Sequence, residues 1–396
     1  MTTVAMQDDK TNCYRAAAIK AGEWFLKTQQ TRYDDANRGR YYYAVNLKDD
    51  YQELSTGWQT GFAVIAMLSL HKTTEEKKYL ESAELAIEYI KTLQILDKRR
   101  MNVYGAIREE SPQTNWLHPR DALSAAWALL IYGQYRQDND CLERAVMFAD
   151  WMINYGFSGD WPLFTVNLGP GGLDSRDLQG SFQSGGILFF IDMYKMTQDM
   201  RYYNIALRMS DYYVENFIDP NGLITVLIDK LGIQDLSIWQ EDWKLMHRVN
   251  DDFGGIALAA SYSLFQKDVY RQRMSAYFDW SRTADNGDGS YLKPVMEVGS
   301  ATMPIFFNSY KKFASEAEQV ALKQAHAKAL DFLVSLQQHS TNDAVDGALL
   351  GMDNKCRNGV GEWVNIRCTA YAIIALLQYS GDSLFPYSSV ETDMGK

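Results

Sequence analysis

The chain has 396 residues, 46% of them hydrophobic and 13% aromatic, and a formal net charge of −11. That is enough apolar side chain for a large core, yet no apolar run approaches the roughly 20 residues that cross a bilayer, so a soluble protein away from the membrane is expected. The acidic balance argues against a nucleic-acid partner, which calls for a basic face.

The first residues, Met1 to Asn12, are polar and include Asp8 and Asp9. They lack the basic region and apolar stretch of a secretory signal. Residues 1–11 therefore read as a polar tail and the location as cytoplasmic, or as periplasmic or secreted if a leader was removed. From residue 12 two kinds of helix alternate. Residues 12–30 carry apolar side chains three and four apart and need one buried stripe. Residues 57–71, with the run Gly61-Phe62-Ala63-Val64-Ile65-Ala66-Met67-Leu68, are apolar nearly all round and must be buried. The striped kind recurs near 77–94, 140–156, 200–217, 268–284 and 317–338, and the apolar kind near 118–135, 177–197, 247–265, 298–313 and 362–380. No linker or composition shift interrupts the alternation, so 12–383 read as one domain and 384–396 as a second tail.

A repeat of roughly 60 residues whose second helix is always the buried one closes naturally into a ring. The expected fold is all-α, an (α/α)6 toroid of six inner and six outer helices. Links from inner to outer helices are very short, as at Gln198-Asp199, Gln266-Lys267 and Ala314-Ser315-Glu316. Links from outer to inner helices run roughly 13–29 residues, and loops that long inside a domain usually carry function. Alternating direction gathers them at one face, where the N-termini of the inner helices converge. Gly turns such as Tyr104-Gly105, Asn221-Gly222, Asp288-Gly289 and Asp346-Gly347 predict small β-hairpins on that face.

Four inner-helix entrances pair arginine with a carboxylate: Trp116-Leu117-His118-Pro119-Arg120-Asp121, Asp174-Ser175-Arg176-Asp177, His247-Arg248-Val249-Asn250-Asp251-Asp252 and Glu362-Trp363-Val364-Asn365-Ile366-Arg367. Helix capping accounts for single Asp and Asn residues at such places, but it does not call for the accompanying Arg, His and Trp. Four cysteines (Cys13, Cys141, Cys356, Cys368) lack a paired or zinc-binding spacing and read as free thiols, and five scattered histidines form no metal motif. No metal and no cofactor are expected.

Sugar chemistry accounts for the mixture. Hydrolysis of a glycosidic bond with inversion needs one protonated carboxyl and one ionised carboxylate about 6.5–9.5 Å apart, a spacing that carboxylates on different inner helices can meet. Asp252 and Asp177 are the leading acid/base candidates, with Asp121 and Glu362 as alternatives. Arg120, Arg176, Arg248 and Arg367 can hold a uronate carboxylate in bidentate fashion. Trp58, Trp116, Trp363 and Tyr42 offer faces on which a sugar ring stacks, and His118, His247, Gln183 and Asp251 complete the expected substrate contacts.

At Tyr51-Gln52-Glu53-Leu54-Ser55-Thr56-Gly57-Trp58, in the Asp-Gly turns and in the glutamine pairs Gln29-Gln30 and Gln337-Gln338, the chain resembles the (α/α)6-barrel carbohydrate-active enzymes. These include glycoside hydrolases of the glucuronidase and unsaturated-uronyl type, toroid polysaccharide lyases and glucuronyl C5-epimerases. The resemblance covers nearly the whole chain as architecture and implies a glycosidase acting on a uronic-acid-containing oligosaccharide or polysaccharide. A lyase or epimerase would instead remove the proton alpha to the carboxylate with a Tyr or His base. A non-catalytic glycan-binding or polysaccharide-assembly protein is a third reading. Terpene cyclases share the ring, but their protonating Asp-x-Asp-Asp has only Val249-Asn250-Asp251-Asp252 as a counterpart here, without its first Asp. The sequence does not define an oligomeric state.

Overall fold

Two kinds of helix alternate along the computed structural model, which describes residues 2–48, 52–169, 178–231, 253–291, 297–352 and 361–385. The buried kind comprises α2 (Gly57–Thr74), α4 (Pro119–Arg136), α6 (Gly185–Thr197), α8 (Gly254–Phe265), α10 (Glu297–Tyr310) and α12 (Ile366–Gln378). Every residue of α12 is buried, as is every residue of α4 from Asp121 to Gly133. The striped kind comprises α1 (Thr2–Thr28), α3 (Lys77–Leu93), α5 (Asn139–Trp151), α7 (Met200–Asn216), α9 (Asp268–Ala284) and α11 (Glu316–Ser335). In α5 the stripe is Cys141, Ala145, Phe148 and Ala149, three and four apart as one buried face requires.

Three helix starts differ from the periodicity. Helix α1 begins at Thr2 rather than at residue 12, because nothing in the polar stretch before Cys13 breaks a helix. Helix α6 begins at Gly185 rather than at 177, because Leu178–Gly180 forms a strand and Ser181–Ser184 a 3-10 turn. Helix α12 begins at Ile366 rather than at 362. Asn365 closes the strand before it and caps the helix, its Oδ1 accepting from the Cys368 N–H at 2.9 Å.

The short links have a common construction. Gln137, Gln198 and Gln266 end α4, α6 and α8 in the left-handed region, with φ of 57°, 59° and 55°. Asp138 and Asp199 then cap the next helix at once, accepting from the Cys141 and Arg201 amides. A left-handed non-glycine residue costs roughly 1–2 kcal/mol, and the immediate cap offsets part of it.

The helices group into two units. The first takes Met1–Ser55, Phe62–Tyr89 and Ala284–Phe385, and the second takes Thr56–Gly61 and Ile90–Thr283. In the first, α1 packs on α11 and α12, and α10 packs on the same two helices. A four-stranded antiparallel sheet orders β2 (Gln52–Leu54), β1 (Tyr42–Asn46), β10 (Trp363–Asn365) and β9 (Leu350–Met352), with Ala44 opposite Asn365 and Asn46 opposite Trp363. In the second unit α4 packs on α5 and α6, and α6 on α7 and α8. Two-stranded pairs there join β3 (Trp116–Leu117) to β6 (Val166–Asn167), β4 (Phe157–Ser158) to β5 (Trp161–Pro162) and β7 (Leu178–Gly180) to β8 (Leu227–Asp229). The Gly turns that predict hairpins are closed mainly by isolated bridges, such as Gln94 with Ile107 and Asp285 with Tyr291.

What those turns do instead is dock on a neighbouring helix. Gly105, at φ 93°, lies so close to the Met147 carbonyl of α5 that a Cβ would overlap it. Gly39, Gly222, Gly289 and Gly347 repeat the contact against α3, α9, α11 and α1. A glutamine braces three of these turns. Gln94 Nε2 donates to Gly105 O at 3.1 Å and Arg144 O at 2.9 Å, Gln29 Nε2 to Gly39 O and Ser82 O, and Gln337 Nε2 to Gly347 O and Ala17 O.

Candidate active site

The N-terminus of α4 in the second unit gathers several chemistry-bearing side chains. The β3–β6 pairing fixes the approach, with Trp116 opposite Asn167. His118 is the extended residue before the helix, Pro119 occupies its first turn, and Arg120 and Asp121 follow. Pro119 suits that turn because its missing N–H would go unused there.

Glu109 reaches this turn from the irregular segment ahead of it. Its carbonyl accepts from the Gly57 N–H at 3.0 Å, and its Oε2 accepts from the His118 N–H at 3.1 Å. It is only 7% exposed. Burial, the neighbouring Asp121 charge and a hydrogen bond shared with Asp121 hold its carboxyl well above the usual carboxylate range, against a smaller opposing pull from the His118 N–H and Arg120. Asp121 Oδ1 is buried without a hydrogen-bond partner among the described residues, 3.8 Å from Arg120 Nε.

Arg120 lies between two rings, its Cζ 5.0 Å from the centroid of Trp58 and 5.0 Å from that of Phe182. Both are cation–π contacts to the guanidinium. Beneath it a cavity of about 10 Å³ is bounded by Trp127, Gln183, Gly185, Gly186 and Phe253, room for about one water. Trp127 Nε1 donates to Asp192 Oδ2 at 2.9 Å. Burial raises the Asp192 carboxyl to about 7.

His118 has its ring edge-on to Trp116 and Phe164. Its Nδ1 lies 3.0 Å from the Phe164 carbonyl and 3.0 Å from Thr165 Oγ1. A carbonyl only accepts, so Nδ1 carries a proton, and Nε2 is the nitrogen that holds the lone pair in the neutral form of the ring. Gln183 spends its amide on the backbone, accepting from Gly180 N and donating to Pro162 O and Leu163 O, which leaves it as a brace under the site.

Tyr42, Glu362, Trp363 and Arg367 belong to the first unit. Tyr42 and Trp363 are half-buried on the β1–β10 sheet, Glu362 pairs with Lys48, and Arg367 is buried in the first turn of α12. The expected residues Arg176, Asp177, His247, Arg248, Asp251 and Asp252 lie outside the described residues. Within the second unit the structure brings together Trp58, Trp116, His118, Arg120, Asp121 and Gln183. It adds Glu109 and Phe182, which the sequence did not single out. Glu109 sits in the run Arg108-Glu109-Glu110, which looks like an ordinary solvated charge cluster.

Asp138, Asp140 and Cys141 form the single group of potential metal ligands found among the described residues. Capping of α5 and the ion pair from Lys91 to Asp140 at 3.1 Å account for it. Cys13, Cys141 and Cys368 are free thiols, and Cys356 lies outside the described residues. Among the described residues, no helix is long and apolar enough to cross a membrane.

No family model and no curated protein sequence matches the chain. Solved structures do. The unsaturated glucuronyl hydrolase of Bacillus sp. GL1 superposes with a TM-score of 0.68 at 11% identity, covering 92% of this chain and 96% of that one. The GH76 α-mannanase of Bacteroides thetaiotaomicron gives 0.66 at 13% identity over 93% and 95%. The α-1,6-mannanase of Salegentibacter sp. HEL1_6 gives 0.64 at 11% identity over 93% and 99%. The fold is therefore the α/α toroid, with the buried helices as its inner set and the striped helices as its outer set.

Proposed function

We propose that the protein is a glycoside hydrolase acting on an oligosaccharide that carries a uronic acid, with the α4 entrance as part of its active site. The observation that carries this reading is the Glu109–Asp121 pair. Burial and the Asp121 charge hold the Glu109 carboxyl well above the usual carboxylate range, and a carboxyl so raised is suited to donate a proton. The two are hydrogen-bonded, too close to straddle a glycosidic bond, whose flanking carboxyls stand about 5–9.5 Å apart. They act as one donor unit, and the opposing carboxylate comes from another helix entrance, where Asp177 and Asp252 are the candidates. The positive charge of Arg120, beside Trp58 and Phe182, suits a uronate carboxylate, while Trp116, 41% exposed, offers a face to a sugar ring.

Two of the structural neighbours support this chemistry in kind. Both are inactive variants of the Salegentibacter mannanase, with two consecutive aspartates replaced, in complex with α-1,6-mannotriose or mannotetrose. A neutral mannan is accordingly the alternative substrate, and Arg120 is the feature that favours an acidic one.

Incubation with uronic-acid and α-mannan oligosaccharides, followed by mass spectrometry of the products, tests the proposal. Gain of one water per cleavage, abolished by Asp121→Asn, is expected. Turnover of a uronate substrate that persists in Asp121→Asn and Glu109→Gln would refute the assigned site. One observation favours a second reading: the Phe164 carbonyl holds His118 by Nδ1, which leaves Nε2 as the nitrogen that would abstract the proton alpha to a uronate. That route yields an unsaturated product absorbing in the near ultraviolet, with no gain of water.

A further inference from the structure

A second cavity, of about 430 Å³, opens in the first unit at the C-terminal ends of α10 and α12, and none of the Glu109 site residues lines it. Its size is that of a small-molecule pocket. Its walls are Phe307, Leu322 and Tyr379, with Lys311, Lys323 and His326 among them and no carboxylate in the lining. The His326 ring stands edge-on between the two aromatic walls, its centroid 6.5 Å from that of Phe307 and 6.0 Å from that of Tyr379.

Two features ask for an occupant. His326 Nε2 is buried with no hydrogen-bond partner among the described residues, a state that costs stability unless something in the cavity meets it. Burial and the Lys311 charge push the imidazole down to about 4, so it is neutral and its N–H can donate. The second feature is uncompensated charge. Lys311 donates to Asn308 Oδ1 at 3.1 Å, and neither lysine forms an ion pair among the described residues. Two ammonium groups and an imidazole donor at the mouth of an aromatic-walled cavity complement a negatively charged group borne on a ring.

We infer that this cavity binds a small ring-bearing anion. The ring lies against Phe307 and Tyr379, and a carboxylate or phosphate lies among Lys311, Lys323 and His326. The site is independent of the Glu109 pair, so either assignment can fail without the other.

The test follows the His326 imidazole resonance of the full-length protein, assigned by its loss in His326→Gln, during titration with benzoate, phenyl phosphate and benzyl alcohol. A saturable shift is expected for at least one anion with a Kd below about 1 mM, and binding of benzyl alcohol about tenfold weaker or worse. The paired exposed substitutions Lys311→Glu and Lys323→Glu should weaken the anion about tenfold or more, and whichever of benzoate and phenyl phosphate binds tighter identifies the acid group. Absence of a saturable shift with either anion up to about 10 mM would overturn the inference, as would equal binding of benzyl alcohol or unchanged anion binding in the double substitution.

Discussion

To ionise Glu109 at the start of α4 is to place a second negative charge against Asp121 where water barely reaches. The rise of its carboxyl above the usual range thus depends on Asp121 as well as on burial. Asp121→Asn should lower turnover of the true substrate by about 10²–10⁴-fold, the range for loss of a positioned acid or base, with little change in KM. Glu109→Gln cannot deliver a proton, so the fall in kcat should be similar, and pH–rate profiles should lose their alkaline limb. Asp192 makes a separate prediction about stability. Its folded-state value of about 7 lies above the usual carboxylate range, so the folded state binds the proton more tightly than the unfolded chain does. The stabilisation it gives is complete below about pH 4 and is lost as pH rises through about 7. Asp192→Asn should therefore gain stability relative to the parent as pH climbs from 4.5 to 7.5, by up to roughly 1.4 kcal/mol per unit. A difference between the two urea midpoints that does not move with pH would refute it.

At the scale of elements, the turns that read as hairpins are docking devices. Gly105→Ala puts a methyl into the Met147 carbonyl and strains a positive φ at once, and should cost more than about 2 kcal/mol in urea denaturation. Gly159→Ala, at φ 67° with open space around it, should cost only the conformational part, about 1 kcal/mol. Gln94→Leu leaves the carbonyls of Gly105 and Arg144 without their donor and should cost about 1–3 kcal/mol for each left dry. The alternation of helices was legible because burial on all sides and burial on one side leave different periods in the residues. The turns were legible only as turns, since Asp-Gly and Asn-Gly report a positive φ and not what the glycine touches. Helix α6 was placed too early because Leu178 and Gly180 owe their burial to pairing with Asp229 and Leu227, some fifty positions away. Arg120 and Asp121 stood out by their repetition at helix entrances. Glu109 did not, because its burial is created by the Gly57 amide, far from it in sequence, and by the fold-back of the segment that leads into α4.

On the scale of the whole molecule, the first helix and the last hairpin hold each other. Lys10 Nζ and Tyr14 Oη both donate to Asp331, Trp24 Nε1 donates to Ala344 O, and Gln337 reaches back to Ala17 O. A linear stack of repeats would shed its terminal helix with little consequence elsewhere. Here deletion of residues 2–28 should remove more helical signal in circular dichroism than the 27 residues of α1 carry, because α11 and α12 lose their neighbour. A loss no larger than that share would show that the first helix is dispensable.

The same arrangement sets a timetable for the chain as it is made. The second unit is nearly one continuous stretch, Ile90–Thr283, whereas the first draws on both ends of the sequence. At synthesis rates of about 5–20 residues per second, the segments up to Tyr89 wait on the order of 10–40 s before Ala284–Phe385 begins to emerge. During that interval Phe62 of α2 waits for Tyr371 and Phe385, the rings it meets in the folded protein, so the nascent protein, more than the finished one, is the form that needs a chaperone.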